Sequence, residues 1–172
     1  NGDKGTSDRE MSPANLAVTR EREQQEAADE LGAKDVVFLS HPDGGLEDNM
    51  LFRSQLVREI RRHRPDLILC IDPFRSNSHT HRDHRMSGQV AVDAAYSYAW
   101  SRLHFPEQIS REGLEPHRVS EVYLWGGEAP DVCVDIEGFM EAKIDSISKH
   151  ASQMSGRPVD RAERIRRWNA RS

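Results

Sequence analysis

The run Leu67–Ile71 (LILCI) constrains the fold more than any other stretch, because five apolar residues in a row are followed at once by a polar loop. A short continuous apolar run of this kind is typical of a strand covered on both faces of a parallel sheet. Helical patterns of ten or more residues stand before and after it, so strands alternate with helices. We therefore predict an α/β fold, with a Rossmann-like, mostly parallel sheet and helices on both faces. The 172 residues suffice for a single domain spanning 1–172.

Start and stop signals place the other elements around this strand. Ser12 and Pro13 predict a helix start, and Gly32 predicts its end. A second helix carries Phe52, Leu56 and Ile60 at four-residue spacing and ends before the dipeptide at 64–65, because proline disfavours helix at the residue before it. The remaining predictions are strands at 36–39, 119–125 and 132–136, an alanine-rich helix reaching about residue 100, an irregular stretch at 103–117, and helices at 139–150 and 159–171.

Two charged residues share the apolar stripe of the first helix. At 100° per residue, Arg20 and Glu23 fall on the same face as Leu16, Ala27 and Leu31. One interpretation is an ion pair between Arg20 and Glu23 that spans the edge of a core. The other is that the arginine reaches a functional site, and the pattern alone leaves both open.

Composition indicates a polar globular chain with a formal net charge of -5. No apolar run approaches the roughly 20 residues that cross a bilayer, and the first ten residues lack the basic and apolar regions of a secretion signal. We therefore expect a cytoplasmic protein without membrane contact. Cys70 and Cys133 lie in apolar runs without a CxxC pattern, which predicts core thiols in a reducing compartment.

The C-terminal tail RAERIRRWNARS is basic within an acidic chain. Nucleic-acid binding is one interpretation, but the chain as a whole is acidic, and aromatic residues do not alternate with the basic ones of the tail. A solvated helix or a subunit contact is favoured, with Ile165 and Trp168 as its apolar residues. We expect no nucleic-acid partner, and we expect a homo-oligomer.

The polar loop at 72–85 reads DPFRSNSHTHRDHR. Histidine is the commonest metal ligand, and a carboxylate beside it fixes its tautomer or binds the metal as well. Solvated surface histidines are the alternative. The position of the loop favours a site, because ligands bind beyond the carboxyl ends of strands in such sheets. Its candidate residues are His79, His81, His84, Asp72 and Asp83.

A catalytic zinc site usually has three protein ligands and a water molecule. His81 and His84 supply two if the chain turns helically between them. The third is not fixed by the sequence, and the donors considered for it are His41, His63 and His150. Serine-hydrolase elbows, phosphate-binding glycine loops and dinucleotide fingerprints are missing from the sequence, which removes the usual support for those classes.

Six stretches in order resemble the LmbE-like, or PIG-L, family of zinc-dependent N-deacetylases over nearly the whole chain. They are NGDKG at 1–5, REREQQEAADELG at 20–32, PDGGL at 42–46, RPDLILCIDP at 64–73, HRDHR at 81–85 and KxxxxxxHxSQ at 143–153.

The resemblance implies a hydrolase that removes the acetyl group from an N-acetylglucosaminyl substrate, a small amino sugar, with a bound divalent metal that is typically zinc. It implies that His84 is a metal ligand. His81 then protonates the leaving amine or stabilises the oxyanion, and Asp83 orients the His81 ring or favours its charged form. By the same resemblance Arg20 reaches the substrate pocket.

Two departures from the family pattern matter. Arg82 stands where the family commonly has proline, on the outward side of the turn. The family's HPDDxE segment, which carries the other two metal ligands and the general base, is absent, and the HPD at 41–43 matches an internal turn instead. We expect a chain cut from a longer protein rather than a natural relic that lost catalysis, with the first strand and helix missing and the piece alone inactive.

Two other functions stay open. One is an amidase acting on thiol conjugates of a glucosaminyl-inositol. The other is a noncatalytic sugar-binding or assembly module, which would bind its ligand without turnover.

Overall fold

A computed structural model describes residues 1–76, 81–154 and 158–169, and the side chain of Trp168 and all of His79 lie outside the described part. It is a mixed α/β structure with a small parallel sheet. The chain divides into two compact units, one formed by 1–43 and 132–172 and the other by 44–131. The elements are α1 Pro13–Glu30, α2 Met50–His63, β1 Leu67–Ile71, α3 Arg82–Asp93, a π-helix Ala94–Tyr98, α4 Pro106–Glu112, β2 Glu121–Trp125, a 3-10 turn Glu137–Phe139, α5 Met140–Lys149 and α6 Pro158–Asn169.

In the first unit, α1 packs against α5, and both ends of α1 follow the predicted signals. The Ser12 side chain accepts a hydrogen bond from the backbone N–H of Asn15, which caps the first turn. Leu16 and Ala27 are buried, and the Ser146 hydroxyl of α5 donates to the Ala27 carbonyl at 3.1 Å. The face predicted to point inward therefore does so along most of its length.

Of the two interpretations of the charged residues on α1, the Arg20–Glu23 ion pair is wrong, because each side chain finds partners in other segments of the same unit. The Glu23 carboxylate is 5% exposed and accepts from the N–H and the hydroxyl of Ser152, both at 2.7 Å. Arg20 donates to backbone carbonyls instead. Leu31 is also not buried. It is the C-cap residue, beyond the last helical residue of α1, so the 100° spacing of the apolar face does not extend to it.

In the second unit, β1 and β2 form a parallel ladder that runs from Leu67 opposite Glu121 to Ile71 opposite Trp125. The core of this unit lies between α2 and the π-helix. Its fully buried centre is small and apolar and consists of Val57, Ile60, Ala94, Ala95 and Ala99. Parallel pairing requires a crossover, and α3, the π-helix and α4 lie in the connection between the two strands.

Two predicted strands are not strands in the structure. Residues 36–39 and 132–136 make no ladder within the described residues, and Phe38 and Val134 are 38% and 70% exposed. An apolar run predicts burial, whereas a strand also needs a neighbour whose backbone groups pair with its own. The sheet that the described residues form therefore has two strands, fewer than the predicted sheet requires.

Burial of β1 was also overestimated, because only Ile71 is buried and Leu69 is 65% exposed. A two-stranded ladder covers fewer side chains than a wide sheet does. Cys70 is half-buried, and burial raises the pKa of its thiol. Cys133 is exposed, so the prediction of a core thiol is wrong there. Among the residues that the structure describes, its segment joins no ladder that would cover it.

The connection at 103–117 contains the short helix α4, where an irregular stretch was predicted. Helix α3 starts at Arg82, within the predicted polar loop. None of the helices in the described ranges combines the length and the apolar character needed to cross a membrane. The prediction of a single domain over 1–172 stays a prediction.

Candidate functional site

The start of α3 is held against the end of β1 by a glycine. Gly88 is buried, and a Cβ added there would lie 2.3 Å from the carbonyl oxygen of Ile71 and 3.1 Å from Cδ of Pro73. Any other residue at this position would push the helix off the strand. The first turn of α3, with the predicted histidines, is thereby kept at the carboxyl end of β1, where ligands bind in parallel sheets.

His81 is the N-cap of α3. Its Nδ1 accepts a hydrogen bond from the backbone N–H of Asp83 at 3.2 Å. A neutral imidazole nitrogen that accepts carries no proton, so this bond assigns the ring proton to Nε2. The cap therefore orients the ring and directs an N–H donor away from the helix.

His84 lies one turn further along α3, and its ring centroid is 5.1 Å from that of His81. The structure thus brings the two predicted histidines together because the chain turns helically between them. Both residues are exposed in the second unit. An exposed imidazole is accessible to a ligand.

The carboxylate of Asp83 holds a turn of the same unit. It accepts from the backbone N–H of Gly44 at 2.6 Å and from that of Leu46 at 3.2 Å. Charge-assisted bonds of this kind are stronger than neutral ones. Its place in the first turn of α3 is also favourable, because a negative charge there complements the helix dipole. Asp83 thus links the start of α3 to the turn at 44–46.

No group of three histidine, cysteine, aspartate or glutamate side chains among residues 1–76, 81–154 and 158–169 is arranged to hold a metal ion. Of the three donors considered for the third position, His63 pairs with Glu59 at 3.4 Å on α2. His150 lines a cavity of about 410 Å³ in the first unit. The His41 carbonyl accepts from the backbone nitrogen of Asn1 at 2.8 Å. The described residues alone therefore do not fit a complete three-ligand zinc site.

Arg20 lies in the first unit, where its guanidinium organises the N-terminal loop. Nη1 donates to the carbonyls of Gly2 at 2.7 Å and Lys4 at 2.6 Å, and Nη2 donates to that of Gly5 at 3.1 Å. Nε is shielded from solvent and has no hydrogen-bond partner among the described residues. Gly2 has φ +63°, and a Cβ there would be 2.8 Å from Cδ of Arg20, so the loop and the arginine fit closely.

The same loop contacts the HPD turn within the first unit. The Asp3 carboxylate accepts from the backbone N–H of Asp43 at 2.8 Å, and Lys4 donates to the Asp43 carbonyl at 3.1 Å. The Asp43 bond is the main cause that lowers the pKa of Asp3. This turn has a structural role in connecting the loop, and its glycine neighbours leave no second carboxylate beside it.

Sequence reasoning missed Gly88, although the alanine-rich helix contains it. A glycine inside a helical pattern costs about 1 kcal/mol relative to alanine, so it often has a packing reason. That signal was present but could not identify the strand carbonyl that the helix approaches.

These observations define an α/β protein with a histidine pair at the carboxyl end of a parallel strand. The PIG-L family model, described as GlcNAc-PI de-N-acetylase, matches residues 1–95. The chain belongs to the PIG-L family, as the resemblance implied.

Two deacetylases are similar to this chain. The diacetylchitobiose deacetylase of Thermococcus kodakarensis is 32% identical over 152 residues, which make up 88% of this chain and 56% of that protein. The solved structure of the N,N'-diacetylchitobiose deacetylase from Pyrococcus horikoshii, complexed with its inhibitor MPG, is 29% identical with a TM-score of 0.83. That match covers 90% of this chain and 57% of the other.

A conserved protein from Thermus thermophilus has a similar crystal structure, with a TM-score of 0.68 and 27% identity. The match covers 97% of this chain and 68% of that one. The chain spans little more than half the length of the two deacetylases that it matches.

Proposed function

We propose that the complete protein is an N-deacetylase that hydrolyses the acetyl amide of an N-acetylglucosaminyl-type substrate. Membership of the PIG-L family supports the reaction class. One geometric observation supports a role for His81 above all: its Nδ1 accepts from Asp83 N–H at 3.2 Å, so that Nε2 carries the proton.

Amide hydrolysis needs a donor at two points. Water adds to the acetyl carbon while a general base, expected outside the described residues, takes one of its protons, which creates a tetrahedral oxyanion. The oxyanion then collapses, the carbon–nitrogen bond breaks as the nitrogen takes up a proton, and acetate and the free amine are released. The Nε2–H of His81 is suited to stabilise that oxyanion or to protonate the nitrogen. Asp83 keeps the start of α3 and the turn at 44–46 in place, and Arg20 is proposed to hold the sugar.

We propose a divalent metal, zinc or another, with His84 as one ligand. A bound zinc ion lowers the pKa of its water toward about 7. The described residues do not complete a metal site, so its other ligands would lie outside them.

The first experiment measures acetate release from N-acetylglucosamine and N,N'-diacetylchitobiose by the complete protein. His81→Asn should lower the rate by about 10²–10⁴-fold, the usual contribution of a positioned acid or base. Asparagine is a good N-cap, so the thermal midpoint should stay the same. His81→Ala should lose the activity and also about 1 kcal/mol of stability from the cap. Full activity of His81→Asn would contradict the role of this ring.

The second experiment removes the metal. A chelator and the substitution His84→Ala should each abolish acetate release, and added zinc should restore activity only after the chelator. Unchanged turnover in either case would contradict the metal role of His84. Sugar binding without any turnover by the intact protein would favour the noncatalytic module, and turnover of thiol conjugates alone would favour the amidase.

We also propose a cytoplasmic, homo-oligomeric protein. The polar composition supports the location. Cell fractionation tests the first statement and sedimentation equilibrium the second.

A further inference from the structure

We propose that Arg75, with Phe74 and Trp125, forms a subsite for a second, uncharged sugar unit joined to the one that is deacetylated. This inference rests on the proposed function, because the ligand is the remainder of the same substrate. The residues lie in the second unit, at the carboxyl ends of β1 and β2, where parallel sheets bind their ligands.

Hydrogen bonds hold the segment that carries Arg75 on both sides of this residue. Asp72 N–H donates to the Trp125 carbonyl at 3.0 Å, which continues the ladder one residue past β1. On the other side, Ser76 donates to the Glu128 carboxylate through its N–H at 2.7 Å and its hydroxyl at 3.1 Å. A side chain between two such anchors is preorganised, so binding costs little further ordering.

Two of the three guanidinium nitrogens of Arg75 are packed without an acceptor among the described residues. Its Nε and Nη2 are shielded from solvent, and no atom of the described residues accepts a hydrogen bond from them. Its Nη1 would be 3.0 Å from a Cβ at Gly126, which has φ +77°, so the glycine turn after β2 packs directly on it. A buried charged donor without a partner costs more than the 1–3 kcal/mol of a neutral one, and a ligand oxygen would offset that cost.

The surroundings favour a sugar over an anion. Two carboxylates, Asp72 and Glu128, lie within three residues of Arg75 or of the glycine turn, and they would repel a phosphate or a carboxylate. Hydroxyl groups both donate and accept, so they suit an arginine next to acidic residues. Phe74 and Trp125, 66% and 54% exposed, offer the apolar faces that sugar rings can contact.

Calorimetric titration tests this subsite. The complete protein carrying His81→Asn, which slows turnover, is titrated with N,N'-diacetylchitobiose and with N-acetylglucosamine. We expect the disaccharide to bind about tenfold or more tightly than the monosaccharide, since hydrogen bonds to a charged group contribute about 1.5–3 kcal/mol. Adding Arg75→Met should reduce that ratio to about 1–2. Arg75→Lys, which keeps the charge but not the planar fork, should give an intermediate ratio.

Arg111→Met, at an exposed position of α4 in the same unit, is the matched control and should leave the ratio unchanged. Equal affinity of the parent for both sugars, an unchanged ratio in Arg75→Met, or phosphate binding that depends on Arg75 would each overturn the subsite. These affinities do not depend on catalysis. Absence of acetate release by the wild-type protein would therefore contradict the proposed deacetylase and leave the test of the subsite intact.

Discussion

Gly88 approaches the carbonyl oxygen of Ile71 so closely that a Cβ on the glycine would lie 2.3 Å from that oxygen. The contact joins the middle of α3 to the last residue of β1. Since His81 and His84 lie in the first turn of α3, their distance from the end of the sheet depends on this packing.

Gly88→Ala should therefore destabilise the protein, although alanine favours helices. Overpacking of a closed interior typically costs about 1–3 kcal/mol, and backbone rather than a flexible side chain is the obstacle. The measurement is the free energy of unfolding in urea, together with acetate release, which should fall as the histidines move. Gly138→Ala is the matched control, because nothing lies within 4 Å of a Cβ there, and it should be neutral or stabilising. Equal effects of the two substitutions would refute the steric explanation.

Asp83→Asn tests whether the carboxylate fixes the turn at 44–46. Asparagine keeps one acceptor but loses the charge and the second acceptor, so one of the bonds to Gly44 and Leu46 should be lost. We expect a loss of about 1–3 kcal/mol of unfolding free energy, the range for bonds to charged groups. Hydrogen exchange of the Gly44 and Leu46 amides should speed up. If exchange at these amides is unchanged while activity is lost, Asp83 acts on the chemistry and not on the turn.

Local chemistry made much of the helical structure predictable. Ser12 and Pro13 marked the start of α1, and the proline after Arg64 marked the end of α2, because caps and breakers act within one turn. The condition stated for His81 and His84, a helical turn between them, is also met, and their ring centroids lie 5.1 Å apart. These are short-range effects that a sequence displays directly.

The predictions that were wrong concern residues whose partners lie far away in the sequence. The run at 36–39 has the apolar residues of a strand, but an apolar run does not show whether a neighbouring strand lies beside it. An ion pair between Glu23 and Arg20, one helical turn apart, was one of two interpretations, whereas the partner of Glu23 is Ser152, 129 positions along the chain. The close packing of Gly88 on Ile71 became visible only in three dimensions.

Acid should weaken the contact between α2 and α4. Arg58 donates to both carboxylate oxygens of Glu112, at 2.8 and 3.1 Å, and this hydrogen bonding lowers the pKa of Glu112 below its ordinary value of 4.5. A carboxyl whose pKa falls on folding contributes stability above the ordinary pKa, and the contribution is lost as the pH falls through the lowered value. Both side chains are about one-third exposed, so the effect should stay below about 1 kcal/mol.

The substitution Glu112→Gln checks the direction in which the stability changes with pH. The variant should be slightly less stable than the wild-type protein near neutral pH, and the difference should shrink once the pH is below the lowered pKa. Urea midpoints at several pH values provide the measurement, with Glu47→Gln as the control for an exposed carboxylate in the same unit. A difference that grows on acidification would contradict the ion pair.

Arg61 should be the most sensitive position of the second unit. Its side chain is 1% exposed, and burial lowers its pKa. Its guanidinium donates to five backbone carbonyls and one amide oxygen, those of Tyr98, Ala99, Ser101, His104, Phe105 and Gln108. One residue of α2 thus organises the chain from the end of the π-helix to α4.

Arg61→Met should cost about 3–5 kcal/mol, the range for removing one member of a buried charged network. Methionine fills much of the volume, so the loss would come from carbonyls left without donors rather than from a cavity. Arg61→Lys should recover only part of it, because an ammonium has three donors and no planar fork. Exposed Arg118→Met is the control and should change the unfolding free energy by less than about 0.5 kcal/mol. A loss below about 1 kcal/mol in Arg61→Met would mean that water replaces the guanidinium, and that the segment from the π-helix to α4 does not depend on it.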